Sequence, residues 1–284
     1  MKLASFLIHE KATWGSVDGP RVHDIGAVLA IPDLRTFLKQ QAWELLRDAH
    51  ASAPSYSVVE VSWLPVIPNP EKIFCVGLNY EMHRKETGRA VVEHPTIFAR
   101  FANTQTGHLS NIVRPRVSAN LDFEGELAVI IGKPGRYIPP EKALNHVAGF
   151  SCYNDGSIRD WQHHTHQFTP GKNFPRTGGF GPWLATVDEF SELNSRQIAT
   201  RLNGETVQQA RLGDMIFDIP TLINYCSSFN PLAPGDVIVT GTPGGVGVKR
   251  TPPLWMKPGD IVEVEIDGIG VLRNGIADED SADA

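Results

Sequence analysis

The segment Asn120 to Gly132, N-L-D-F-E-G-E-L-A-V-I-I-G, sets Asp122, Glu124 and Glu126 on alternate positions ahead of an apolar run. Side chains of a strand alternate faces, so all three carboxylates are expected on one side. Like charges gathered in a partly buried setting call for a positive partner: an arginine, a lysine, a shared proton or a metal ion. An exposed strand with alternating acids is the plain alternative. Two features weigh against it. The continuation L-A-V-I-I reads as buried, and a second apolar strand, V-A-G-F-S-C-Y, runs into N-D-G-S-I-R-D, placing Asp155 at a strand exit. Glu124, Glu126 and Asp155 form an all-oxygen donor set suited to Mg²⁺ or Mn²⁺. Zinc is disfavoured, because no close group of Cys and His accompanies them.

A second candidate lies in N-Y-E-M-H-R-K-E-T-G, where His83 and Glu86 share one side of a helical turn. A carboxylate beside an imidazole fixes its tautomer and raises its basicity, although such pairs are also common on ordinary surfaces. His163, His164 and His166 in W-Q-H-H-T-H-Q read as solvent-facing polar residues on a loop or irregular helix. Lys172 stands in the Gly- and Pro-rich T-P-G-K-N-F-P-R-T-G-G-F-G-P-W, and V-T-G-T-P-G-G-V-G-V offers Thr242 and a string of backbone donors. Those glycines lack the G-x-G-x-x-G spacing and the following helix of a dinucleotide site. A turn that binds a small carboxylate and a plain tight turn are the two readings left.

The elements that must position these residues are mostly strands. Lys2 to Ile8 reads as a strand, a helix opens at Asp33 and keeps an apolar side through Ala49, and V-V-E-V reads as a short strand. The prolines of W-L-P-V-I-P-N-P mark a boundary between a small N-terminal domain, 1–68, and a main domain, 69–284. In the main domain strands are expected at Ile73 onward, Thr96 to Phe101, Glu126 to Ile131, Val147 to Tyr153, Trp183 to Thr186, Ile198 to Leu202, Val237 to Thr240 and Ile261 to Ile266. Asn203-Gly204 is a hairpin signal, and Ile216 to Ser228 has helical spacing. The β-branched bias predicts a sheet-dominated fold rather than βαβ repeats. The tail A-D-E-D-S-A-D-A is expected to be loose.

Composition narrows the function classes. The 284 residues carry a net charge of -6, which argues against a nucleic-acid partner, and no apolar run reaches the length of a membrane span. The N-terminus does not read as a signal peptide. Cys75, Cys152 and Cys226 form no C-x-x-C pair and read as buried thiols in a reducing compartment, giving the expectation of a cytoplasmic protein.

Taken together, G-L-N-Y-x-x-H, D-F-E-G-E-L-A-V-I-I-G, N-D-x-S-x-R-D-W-Q, G-K-N-F, G-P-W and G-D-V-I-V-T-G-T-P-x-G-V-G occur in one order between Lys72 and Ala277. In this the chain closely resembles the fumarylacetoacetate hydrolase family, in its bacterial type with a small N-terminal domain. The resemblance implies a mixed β-sandwich roll and a homodimer. It also implies a divalent metal on Glu124, Glu126 and Asp155, with His83 and Glu86 on a mobile lid. Arg159, Gln162, Lys172 and Thr242 match further active-site positions, and Asp122 is expected behind the metal ligands. The substrate implied is a small 2-oxo acid. Hydrolysis of the C3–C4 bond of a 2,4-dioxo acid to pyruvate and a carboxylic acid is the leading reading. Decarboxylation of an oxaloacetate-type acid, or isomerase or lyase chemistry, is the alternative. Two departures stand out: Pro175 and Arg176 replace residues that many relatives have near the pocket, and Arg100 stands where many have lysine.

Overall fold

The computed structural model describes all residues except 89, 91, 191 and 280–284, so most of the tail expected to be loose lies outside the described residues. Residues 1–68 supply β1 (Lys2–Ile8), β2 (Lys11–Asp18), β3 (Arg21–His23), α1 (Ile25–Leu29), α2 (Leu34–Gln40), α3 (Leu46–Ser52), β4 (Ser55–Ser57) and β5 (Ser62–Trp63). There follow β6 (Ile73–Gly77), α4 (Glu81–Thr87), β7 (Thr96–Arg100), β8 (Gln105–Thr106), β9 (Ile112–Arg114), β10 (Leu121–Asp122), β11 (Gly125–Ile131), β12 (Val147–Asp155) and β13 (Ser157–Ile158). The chain continues with α5 (Arg159–Gln162), α6 (Thr169–Lys172), β14 (Gly178–Thr186), β15 (Gln197–Leu202), β16 (Glu205–Arg211), α7 (Ile219–Phe229), β17 (Val237–Val239), β18 (Ile261–Ile266) and β19 (Gly270–Asp278).

One sheet runs in the order β4-β3-β2-β1-β14-β12-β11-β17-β6-β7, and a second runs β16-β15-β18-β19-β9. The fold is mixed α/β, dominated by sheet, with a β-sandwich at its centre. The period of β11 explains the layering. Leu127, Val129 and Ile131 enter a core shared with Ile198 of β15, Val264 of β18 and one side of α7. Ala128 and Ile130 enter the opposite core, with Leu3, Trp14, Phe37 and Leu38 from the first stretch. A strand buried on both faces carries an unbroken apolar run, and L-A-V-I-I is one. Asn203 and Gly204 have φ of 53° and 84°, the conformation of a tight hairpin turn between β15 and β16.

Three local expectations need correction. The helix opening at Asp33 stops at Gln41, which takes a φ of 55° while its Nε2 donates to Gly132 O at 2.6 Å. A long-range hydrogen bond outweighs the apolar spacing that continues beyond it. Val58 to Val61 is a turn, not a strand: Glu60 closes it by accepting from Ser57 N at 2.6 Å, and the strand is Ser55–Ser57. The helix expected from Ile216 starts at Ile219, because Asp218 caps it by accepting from Thr221 N at 2.9 Å.

Candidate functional site

β11 and β12 pair antiparallel, with Gly125 opposite Asn154 and Glu126 opposite Tyr153, so acids at the start of one strand meet the acid at the end of the other. Oxygens of Glu124, Glu126 and Asp155 all lie within 4.8 Å of one another, and all three residues are buried. Gly125 between the glutamates is required by close approach of the second sheet, since a Cβ there would stand 2.0 Å from Thr200 Oγ1. The acids do not share the one continuous strand that alternation suggests. The ladder breaks at Phe123 and Glu124, and Asp122 sits on β10, paired with β13. Asp122 Oδ2 accepts from Arg159 Nε at 2.8 Å, and its two oxygens also receive Gly247 N and Val248 N at 2.8 and 3.0 Å.

Buried cations thread this group. Lys172 Nζ bridges Glu124 Oε2 and Asp155 Oδ2, at 2.6 Å to each. Arg159 Nη2 is 2.6 Å from Glu124 Oε1, and Arg100 Nη1 is 2.5 Å from Asp155 Oδ1. Burial alone would raise the Glu124 carboxyl, but Arg159 and Lys172 outweigh it and hold the group down to about 2. Burial likewise works against the Lys172 ammonium, yet Asp155 and Glu124 raise it. Glu126 differs. Burial, then Asp155 and Glu124, push it well above the usual range, and among the described residues it has no ion pair. Its Oε2 accepts from Gly241 N at 2.5 Å.

Counted as fully ionised, four buried acids (Asp122, Glu124, Glu126, Asp155) face three buried cations (Arg100, Arg159, Lys172), one negative charge in excess, which either a proton held on Glu126 or a bound cation offsets. Buried charge is costly until paired. Three convergent carboxyl groups, one of them without a cationic partner among the described residues, fit a hard divalent cation, so a divalent-metal-binding site is present.

Above this floor lies a cavity of about 150 Å³, lined by His83, Glu124, Glu126, Arg159, Gln162, Lys172 and Thr242, among others. His83 is 5% exposed, and its Nδ1 lies 3.4 Å from Glu86 Oε2, at the long end for a hydrogen bond. Glu86 stands behind it. Burial raises the Glu86 carboxyl, but His83 and the Gly245 N–H more than offset this and hold it low. Gln162 Oε1 accepts from Arg159 Nη1 at 2.8 Å. Thr242 reaches the cavity, but its hydroxyl already donates to Gly125 O at 3.0 Å and accepts from Gln208 Nε2 at 2.8 Å.

The glycine-rich turn does bind carboxylates, but they are the chain's own. Gly241 N serves Glu126, Gly245 N serves Glu86, and Gly247 N serves Asp122. The three histidines expected to face solvent, His163, His164 and His166, are all exposed, and His163 also lines the cavity. Pro175 and Arg176 are exposed and do not line the cavity. Arg100 carries no signal in the sequence beyond its departure from lysine, and Gln208 carries none. Cys75, Cys152 and Cys226 are free and buried.

The profile described as fumarylacetoacetate (FAA) hydrolase C-terminal matches residues 72–277. The chain belongs to the fumarylacetoacetate hydrolase family. Among family relatives, oxaloacetate tautomerase FAHD2A, mitochondrial, of Bos taurus is 42% identical over 219 residues, 76% of this chain and 70% of that one. A fumarylacetoacetate hydrolase from Exiguobacterium antarcticum superposes with a TM-score of 0.88 at 33% identity, covering 98% of this chain and 100% of that one. Maleylpyruvate hydrolase from Sphingobium sp. SYK-6, in complex with manganese (II) ion and pyruvate, gives 0.83 at 26% identity, covering 99% and 100%. The expectation of a cytoplasmic protein does not stand, because the Bos taurus relative is a mitochondrial protein by name. Composition and thiol burial describe a folded domain, whereas a cellular address is read by receptors from separate signals. Among the described residues no helix is long and apolar enough to cross a membrane.

Proposed function

We propose that the protein is a divalent-metal-dependent enzyme that interconverts the keto and enol forms of an oxaloacetate-type 2-oxo acid. The observation that carries this reading is the imidazole of His83, engaged at Nδ1 by Glu86 and lining the same cavity as the carboxylate floor and Lys172. With Nδ1–H directed at Glu86, Nε2 keeps its lone pair for the substrate. The 42% identity to a tautomerase supports the choice of reaction.

Glu124, Glu126 and Asp155 would hold the cation, which when bound supplies Lewis-acid polarisation of the 2-oxo group. His83 Nε2 takes a proton from C3 of the keto form, and the electron pair of the C–H bond moves into the C2–C3 bond as charge grows on the 2-oxo oxygen. The Lys172 ammonium, with Gln162 beside it, stabilises that oxygen. Return of the proton from His83 to the oxygen completes the enol, with no water consumed. Glu86 holds the imidazole in one tautomer, and Arg159 holds Glu124. The carboxylate of the substrate would have to compete for the Thr242 hydroxyl hydrogen.

A second reading keeps the same residues. In a 2,4-dioxo acid His83 would take a proton from water as it attacks C4, and the C3–C4 bond would break to give pyruvate and a carboxylic acid. The dyad suits water activation, and the Sphingobium hydrolase superposes over 99% of the chain. Two measurements separate the readings, each with Mg²⁺ or Mn²⁺ and with chelator. One is enol decay and C3 deuterium exchange of oxaloacetate; the other is pyruvate release from acylpyruvates. Pyruvate release without any acceleration of enol–keto exchange would replace tautomerisation by hydrolysis.

The bacterial type, with residues 1–68 as a small domain, and a homodimeric state belong to the same proposal. Near-full coverage of the Exiguobacterium chain supports the first. For the second, sedimentation is expected to give twice the 31.2 kDa chain mass at micromolar concentration.

A further inference from the structure

Among the cations lining the cavity, Lys172 is ion-paired with Glu124 and Asp155, and Arg159 with Glu124 and Asp122. Lys249 is the exception. It lines the same cavity, is exposed, and has no ion pair among the described residues. Its seat is built rather than floppy. The turn Gly247–Lys249 is pinned by both oxygens of buried Asp122, which accept from Gly247 N and Val248 N, and by Leu254 N donating to Gly247 O at 3.0 Å. The same Asp122 holds Arg159, so floor and mouth share one anchor. The lining also includes Phe98, Phe168, Val246 and Val248. The cavity thus joins a buried carboxylate cluster, apolar side chains and one exposed cation.

We propose that Lys249 is a specificity-determining residue that receives the second carboxylate of a dicarboxylic 2-oxo acid, while its 2-oxo acid end lies on the floor. This deepens the proposed function and rests on it for the end of the substrate that reacts. A free ammonium at the mouth of a low-dielectric cleft attracts an anionic tail, and no other unpaired lysine or arginine lines the cavity among the described residues. His163, at the same mouth, adds a hydrogen-bonding ring.

The test uses the full-length, metal-loaded protein with Lys249→Gln and Lys249→Arg, and calorimetric titration with oxaloacetate and with pyruvate, which lacks the second carboxylate. Lys249→Gln is expected to weaken oxaloacetate about tenfold and leave pyruvate unchanged. Lys249→Arg restores most of the loss. Raising salt weakens oxaloacetate binding to the wild type more than to the glutamine variant. In turnover the glutamine variant raises KM for oxaloacetate with kcat nearly unchanged. Equal effects on both ligands, or on neither, overturn the assignment. If oxaloacetate binding depends on Lys249 but the C3 proton does not exchange, the reaction is wrong and the subsite stands. If the proton exchanges but Lys249→Gln has no selective effect, the reaction stands and the subsite is wrong.

Discussion

The floor of the cavity and the α4 wall above it are held in different ways. β11 and β12 are buried at every position, and the acids at their ends are clamped by Arg100, Arg159 and Lys172. α4 has seven residues, of which only His83 is buried, and Met82 is 71% exposed. Its links to the body include the bridge from Tyr80 to Met215 and the hydrogen bonds of Glu86 to Gly245 N. A metal site needs ligands fixed to a fraction of an ångström, which interior strands provide. A group that must meet substrate and then release it can sit on a short helix with few tethers. Glu86 joins the two, since it orients His83 and fastens the helix to the glycine turn.

The largest effect expected from breaking this comparison is at the floor. Asp155→Ala leaves Arg100 and Lys172 short of a partner and is expected to cost about 3–5 kcal/mol of stability. Its activity should fall to background. Glu126→Gln is the contrast, because Glu126 has no cationic partner to strand. It should lower divalent-ion affinity by roughly 100-fold without lowering the melting temperature of the metal-free protein. Calorimetry and thermal melts of both variants check the pair. Equal destabilisation would mean that the charge imbalance has been misassigned.

Next in size is the wall. His83→Ala should slow turnover by roughly 10²–10⁴ while metal affinity stays at the wild-type value. Loss of metal binding in that variant would erase the distinction between floor and wall.

Arg100→Lys sharpens the account of the floor. Lysine keeps the charge but cannot also reach Gly156 O and Thr177 Oγ1, which Arg100 engages at 3.0 and 2.7 Å. A stability loss of about 1–2 kcal/mol with metal still bound is expected from denaturant titration.

The remaining effect lies outside both regions and shows only in acid. His108 Nδ1 accepts from Arg273 N at 3.1 Å, and burial, then the Arg273 charge, lower the imidazole from 6.5 to about 4. Below pH 6.5 the unfolded chain takes up a proton that the folded chain refuses, so stability is full above that pH and falls as pH drops toward 4. The loss should be about 1–3 kcal/mol, given the partial exposure of the ring. His108→Gln, which keeps an acceptor without titrating, should flatten that part of the stability–pH curve.

Much of the framework is legible in the residues. β1 and β18 have the limits that alternation and turn signals give, and Asn203-Gly204 makes its hairpin. Periodicity, capping and turn preferences act over a few residues, so they can be read in a few residues. Where a distant partner intervenes, local reading fails: Gln41 ends a helix because Gly132 O lies within reach.

The site divides in the same way. The sequence by itself determined the donor types: carboxylates at 124, 126 and 155, an imidazole with a carboxylate three residues on, and a lysine in a constrained turn. Only the tertiary structure decided how charge is shared among them. Arg100 meets Asp155 across 55 residues, Gly241 N meets Glu126 across 115, and the turn after Thr242 spends its donors on Glu86 and Asp122. Local pattern specifies which groups a segment offers. The electrostatics of a buried group depend on every charge within a few ångströms, and those charges are brought there by the packing of strands far apart in the chain.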